Sequence, residues 1–259
     1  MARATGYPKN VTKKAAKANS SAKAPPRKAP RSTPGAASRK RKRAAPPPVD
    51  AIIAGLEALY PDADCELVWG TPFHLLVATI LSAQCTDKVV NTVTPPLFAR
   101  FADAAALARA DVGEVERLVA RTGFFRQKAK NIVATAQRIV RDHPSLPSGE
   151  VPRSMERLIE LPGVARKTAN VVLGTAYGMN EGFVVDTHIA RIAGRLGLTR
   201  EEDPKKIEQD LMRLMPKPLW TRLGHQIIWH GRRVCGARKP ACAECALASS
   251  CPSAMLAGA

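Results

Sequence analysis

The sequence predicts an all-α fold, on three observations. Apolar residues recur at helical spacing from about residue 50 to residue 230. No two-residue turn signal joins runs of alternating polarity, so nothing reads as a β-hairpin. Capping residues, prolines and glycines cut the chain into helices of about ten residues with short links. There is no internal repeat.

The elements follow in order. Ile52, Ile53, Leu56, Leu59 and Tyr60 form a helical stripe after Asp50, a plausible N-cap. Pro72 opens a segment through Ala83 that is apolar on nearly all sides, which predicts a central core helix. Thr86-Asp-Lys starts another, expected to break at Pro95-Pro96. A short helix spans Asp111 to Ala120 and stops at Gly123. Ile132, Val133, Ala136, Ile139 and Val140 stripe a longer one, which ends before Pro144. Ser154 caps Met155–Leu161. Val164–Tyr177 and Thr187–Leu196 follow, each stopped by a glycine. Asp203-Pro204 is an N-cap and first-turn pair for a helix to Met215. Leu219–His230 leads into a cysteine loop.

The charge is unevenly spread. The net charge is +18 and the pI about 10.1, which points to a polyanionic partner. Residues 1–48 carry fourteen Lys and Arg and no Asp or Glu, whereas residues 49–259 carry 26 basic and 22 acidic residues. The tail is rich in Ala, Pro and Ser and holds one aromatic residue, Tyr7. It lacks the apolar surface needed to offset chain entropy, so disorder is expected. Its run Ser38–Arg43 suits a DNA-binding arm. In a eukaryote the tail reads as a nuclear or organellar signal; in a bacterium, a cytoplasmic, nucleoid-associated protein is expected. No apolar run is long enough to span a membrane.

Four cysteines, Cys235, Cys242, Cys245 and Cys251, are spaced C-x6-C-x2-C-x5-C. Thiolates that dense most often hold a metal. Disulfides find no support in a secretion signal. Zinc favours two short knuckles, and only Cys242–Cys245 has that form. A [4Fe–4S] cube tolerates uneven spacing. Arg232, Arg233, Arg238 and Lys239 flank or interrupt the ligands, as a solvated surface or as a loop held against phosphate. Cys65, Cys85, His74, His143, His225, His230, Trp220 and Trp229 read as structural residues.

The most specific stretch is Leu161-Pro-Gly-Val-Ala-Arg-Lys167. A tight turn between two short helices exposes backbone N–H groups at a helix start, where they and the helix dipole suit a phosphate. Lys167 binds phosphate there, or attacks a sugar carbon as a free amine and forms a Schiff base. Asp186, in Val184-Val-Asp-Thr-His188, caps the next helix. A carboxylate fixed at a helix start can also activate a nucleophile or stabilise a sugar cation. Phe124-Phe125 lies where a loop meets a helix, either as a wedge in DNA or as a hydrophobic staple.

Together these segments resemble the endonuclease III family, bifunctional DNA glycosylases of the helix–hairpin–helix superfamily. The resemblance covers roughly residues 50–252 and includes Ile80–Asp87. It implies catalytic roles for Lys167 and Asp186, and a [4Fe–4S] cluster on Cys235, Cys242, Cys245 and Cys251. It implies DNA contacts from the hairpin residues Pro162, Gly163, Val164, Ala165 and Arg166, and from Gln84, which would fill the gap left by an extruded base. His188, Arg238 and Lys239 are further candidates for DNA contact. The implied fold is a six-helix domain at 72–178 beside a cluster domain made of 49–71 and 179–259. The implied reaction is removal of oxidised pyrimidines such as thymine glycol from duplex DNA by a monomer, followed by β-elimination at the abasic site.

The family hairpin usually has a second glycine where this chain has Ala165. A positive φ there would cost about 1–2 kcal/mol. Monofunctional adenine- or mismatch-specific relatives generally lack the lysine, and the adenine type carries an extra C-terminal domain, whereas this chain ends eight residues after Cys251. A non-catalytic iron–sulfur DNA-binding protein would not need both Lys167 and Asp186.

Overall fold

A computed structural model of the chain describes residues 48–254. The basic tail expected to be disordered lies outside the described residues. Within them the protein is all-α, with eleven α-helices and one isolated bridge, between Cys235 and Pro240. No described helix is long and apolar enough to cross a membrane.

The helices are α1 (Val49–Leu59), α2 (Pro72–Leu81), α3 (Asp87–Arg100), α4 (Ala104–Ala108), α5 (Val112–Val119), α6 (Phe125–Asp142), α7 (Met155–Ile159), α8 (Arg166–Tyr177), α9 (Thr187–Arg195), α10 (Pro204–Leu214) and α11 (Trp220–Arg233). Most starts are set by side chains that accept a backbone N–H. Thr71, Thr86, Asp103, Asp111, Ser154, Asp186 and Asp203 cap α2, α3, α4, α5, α7, α9 and α10. Each such cap contributes about 1 kcal/mol.

Three expectations needed correction. Asp50 is not a cap; it lies in the first turn of α1, behind Pro48. The helix from Thr86 does not break at Pro95-Pro96 but runs on to Arg100. Both prolines face solvent, while Val90, Val93, Thr94 and Leu97 are buried on the opposite side. Water can therefore satisfy the carbonyls that the prolines leave bare, and the buried stripe holds the helix together. The short α4, capped by Asp103, has too few residues to show a period and was not anticipated.

Buried side chains form two clusters. The first is built on α2 and gathers residues from Leu67 to Leu173, including Phe73, Leu76, Leu97, Ile132, Leu158 and Val172. The second gathers Ile52 and Leu56 of α1 with Phe183, Ile189, Ile192, Leu211, Trp220, Leu223, Ile227 and Leu247. Each fully buried Leu, Ile or Phe contributes about 1.5–3 kcal/mol.

The clusters meet along α8 and α11. Gly174 lets these helices approach closely, because a Cβ there would fall 2.2 Å from Thr221 Oγ1. The Thr221 hydroxyl and N–H both donate to Asn180 Oδ1, at 2.6 and 3.0 Å. Arg232 on α11 pairs with Glu66 and reaches Asp87 at the start of α3, at 2.8 Å.

Candidate active site and cysteine loop

The turn between α7 and α8 is held from below. Val164 is buried in the first cluster, and its N–H donates to Leu161 O at 3.1 Å. Thr135 on α6 donates its hydroxyl to Pro162 O at 2.7 Å. Gly163 has φ +75°, and a Cβ there would meet Asn131 of α6 at 2.7 Å. Both the backbone conformation and the space require glycine.

Ala165 has φ −88° and ψ 167°, ordinary extended backbone. The missing second glycine therefore costs nothing here. Ala165 has no side-chain cap to offer, and the first backbone bond of α8 is Ala169 N–H to Ala165 O. The N–H groups of Arg166, Lys167 and Thr168 have no partner within the helix. They form an anion site of the kind expected at a helix start.

Lys167 is exposed at this helix start. Asp186 sits at the start of α9 and accepts the Ile189 N–H at 2.8 Å. The two residues line one cleft of about 300 Å³. Gln84, also expected in the site, lines the same cleft. The remaining walls include residues that the sequence did not single out, Asp64, Glu66, Asn170, Thr175 and Thr221, and others that it read as structural or as part of the cysteine loop, Cys65, Trp220, His225, Trp229 and Arg232. No local motif marks these side chains; tertiary packing assembles them.

Burial sets the chemistry of several cleft residues. The Cys65 thiol is pushed up to about 11 by burial, so it is not a nucleophile at neutral pH. Burial pulls the His225 imidazole below its usual range, against the opposing pull of Asp64 and Glu66. His225 Nε2 lies 3.3 Å from Thr175 Oγ1. A neutral His225 thus offers hydrogen bonds without a charge. Asn170 Oδ1 is buried without a partner.

Some predicted contacts are placed differently from the cleft residues. Arg166 turns to Glu208, with 3.7 Å between Nε and Oε1, and donates to Glu181 O at 3.4 Å. Burial raises the Glu208 carboxyl, against the lowering effect of Arg166 and Asn170. His188 is not among the residues lining the cleft; its Nδ1 lies 3.3 Å from Arg191 Nη2 and close to Gly231. Trp220, buried in the second cluster as expected, and Trp229, half-buried against that cluster, also line the cleft. Trp220 Nε1–H donates to Met215 O at 2.9 Å. Arg233 stacks over Trp229, 3.7 Å from the ring centroid.

Gln84 and Phe124 are the only non-glycine residues with positive φ among the described residues, at 53° and 47°. Phe124 is 73 % exposed at the start of α6, whereas Phe125 is half-buried against the first cluster beneath Arg126. Phe124 is therefore not a staple. Near both loops sits Lys128, 5 % exposed, whose ammonium donates to Leu81 O at 2.8 Å and Thr122 O at 2.6 Å.

The four cysteines of the C-terminal loop line one small cavity with Ile192, Arg195, His230 and Leu247. Arg195 donates to Cys235 Sγ at 3.1 Å, to Gly236 O at 2.8 Å and to Ala237 O at 2.8 Å. Arg191 donates to Gly231 O and Cys235 O, at 2.9 and 3.2 Å. Helix α9 thus carries Asp186 at one end and the arginines that tie down this loop along its length. Among the described residues, no three His, Cys, Asp or Glu side chains converge tightly enough for a single ion. The thiols surround a space instead. Arg238 and Lys239 are exposed on the same loop.

An all-α fold, a glycine turn feeding a bare helix start and a lysine–aspartate pair in one cleft define a class. Residues 77–217 match the HhH-GPD superfamily of base excision DNA repair proteins. The chain is 57 % identical over 203 residues to endonuclease III of Synechocystis sp., covering 78 % of this chain and 91 % of that protein. Among solved structures it is similar to a non-covalent endonuclease III–DNA complex, at TM-score 0.74 and 38 % identity, covering 80 % of this chain and 95 % of the other. A trapped endonuclease III–DNA covalent intermediate matches at TM-score 0.73 and 38 % identity, covering 80 % and 97 %. The chain belongs to the endonuclease III family.

Proposed function

We propose that this protein excises damaged pyrimidines from duplex DNA and then cuts the abasic strand, with Lys167 as the nucleophile. The observation that carries the proposal is that Lys167 and Asp186, nineteen residues apart, open two different helices and face one cleft with Gln84. A base must leave the stack before its sugar carbon can be reached. The hairpin N–H groups grip the backbone phosphate without reading bases. The Lys167 amine attacks C1′ as the bond to the base breaks, and the base leaves with the proton that the amine releases by way of Asp186. Asp186 accepts the proton released from the amine and stabilises positive charge on the sugar. The C1′–O4′ bond then opens with a proton passing to O4′, and the protonated imine left at C1′ acidifies the C2′ proton; loss of that proton breaks the C3′–O bond, releasing the downstream strand with a 5′ phosphate and leaving an unsaturated sugar on the other end. The likeness to a trapped covalent intermediate supports this route. Oxidised bases such as thymine glycol are the proposed substrates. A helical domain at 72–178, which holds the seven helices α2 to α8 rather than the six expected, and a cluster domain of 49–71 with 179–259 belong to this reading, supported by the two buried clusters. A lesion panel with borohydride trapping tests it: the reading requires a covalent adduct with both damaged and abasic duplexes.

The cysteine loop fits a [4Fe–4S] cube held by Cys235, Cys242, Cys245 and Cys251. Four thiols lining one cavity fit a thiolate-ligated metal centre, and their uneven C-x6-C-x2-C-x5-C spacing supports the cube. When bound, the cluster supplies a rigid, thiolate-ligated core for the loop that presents Arg238 and Lys239. Purified protein should contain about four irons and four acid-labile sulfides per chain. Stoichiometric zinc without sulfide would show that the ligand set holds a different metal.

Phe124 is the proposed wedge, opposite Gln84 in the gap left by the base. Phe124→Ala should cut excision at least about tenfold, with stability changed by no more than about 0.5 kcal/mol because the ring is exposed. Phe125→Ala should do the reverse, costing about 1–3 kcal/mol of packing with less effect on the bound complex. Chemical denaturation and single-turnover rates measure the two. Parallel losses in Phe124→Ala would remove it as a wedge.

A further inference from the structure

We propose that Lys128 is a positioning residue that sets the spacing between Gln84 and Phe124, and through them the extrusion of the base. The inference rests on the reading just given, in which those two side chains occupy the vacated gap.

Gln84 follows the end of α2, and Phe124 opens α6, forty residues later. Each belongs to a short loop with a left-handed residue, a conformation that persists only where neighbours enforce it. Lys128 touches both loops at once. Its side chain reaches Leu81 O, three residues before Gln84, and Thr122 O, two residues before Phe124. Its own N–H donates to Phe124 O at 3.2 Å. Leu81 O is one of the carbonyls that the end of α2 leaves without a helical partner, at the negative end of the helix dipole. One ammonium therefore clamps two strained loops that only tertiary structure brings together.

Core packing alone does not call for this residue. Burial disfavours the charged form, opposed by the nearby Cys85, and an aliphatic side chain could fill the space of the stem. What methionine cannot do is donate to two carbonyls from different loops.

The test compares two substrates in single-turnover reactions with the full chain. One is a duplex carrying thymine glycol, which requires extrusion and gap filling. The other is a single-stranded oligonucleotide with a preformed abasic site, which requires neither; there the readout is borohydride trapping. Lys128→Met should lose at least about tenfold on the duplex and stay within about twofold of the parent on the single strand. Combining it with Phe124→Ala should add little further loss, since both changes disable the same device. Where Lys128→Met does not fold, Lys128→Arg keeps the charge but alters the reach, and the same selective loss is expected. Equal losses on both substrates, full additivity with Phe124→Ala, or an undiminished duplex rate would each overturn the inference. An unmodified protein that traps on neither substrate would instead overturn the proposed function.

Discussion

Lys167→Ala is expected to abolish borohydride trapping of abasic DNA and lower strand cleavage by at least about a thousandfold, because Lys167 is the one amine among the described residues that line the cleft. The fold should not suffer. Lys167 is exposed in the first turn of α8, and alanine is the better helix former. Binding should also persist. The hairpin N–H groups remain, and one lost cation lowers the salt slope by only about 0.9. The experiment measures trapping, cleavage and duplex affinity on one preparation. Undiminished trapping would place the nucleophile on another amine. A parallel collapse of affinity would make Lys167 a phosphate ligand rather than a nucleophile.

Asp186→Asn separates capping from chemistry at one residue. Asparagine caps helices as well as aspartate does, so the bond from Ile189 N–H should survive and stability should change by less than about 0.5 kcal/mol. The amide can neither take the amine's proton nor balance the sugar's charge. Base removal should therefore fall at least about a hundredfold. Asp186→Ala should show the same loss of rate and in addition lose about 1 kcal/mol of stability, the value of the cap. Retention of the parent rate by Asp186→Asn would reduce Asp186 to a structural cap.

Much of the local structure was legible because its causes are local. A Thr, Ser or Asp before an apolar period marks a helix start, and the caps at Thr86, Asp111, Ser154 and Asp203 behave that way. The Pro95-Pro96 pair misled because the cost of a proline depends on which face it occupies and on what the other face buries. Asp50 misled because Pro48 starts its helix two residues earlier. Phe124 and Phe125 are adjacent identical residues, and only the left-handed turn at Phe124 decides which ring is exposed and which is half-buried.

The hairpin, the Lys167 and Asp186 helix starts and the four-cysteine loop are short-range patterns, and the chain alone sufficed to identify them and the family they belong to. Their convergence is another matter. Asp64, Glu66, Thr175, His225 and Trp229 meet Lys167 in one cleft because α8 and α11 cross at Gly174 and Thr221. Lys128 meets Leu81 and Thr122 because α2 and α6 share a core. Sequence periodicity tells which face of a helix is buried but not against which partner. Partner choice rests on long-range packing, whose energy is spread over many weak contacts with no local signature.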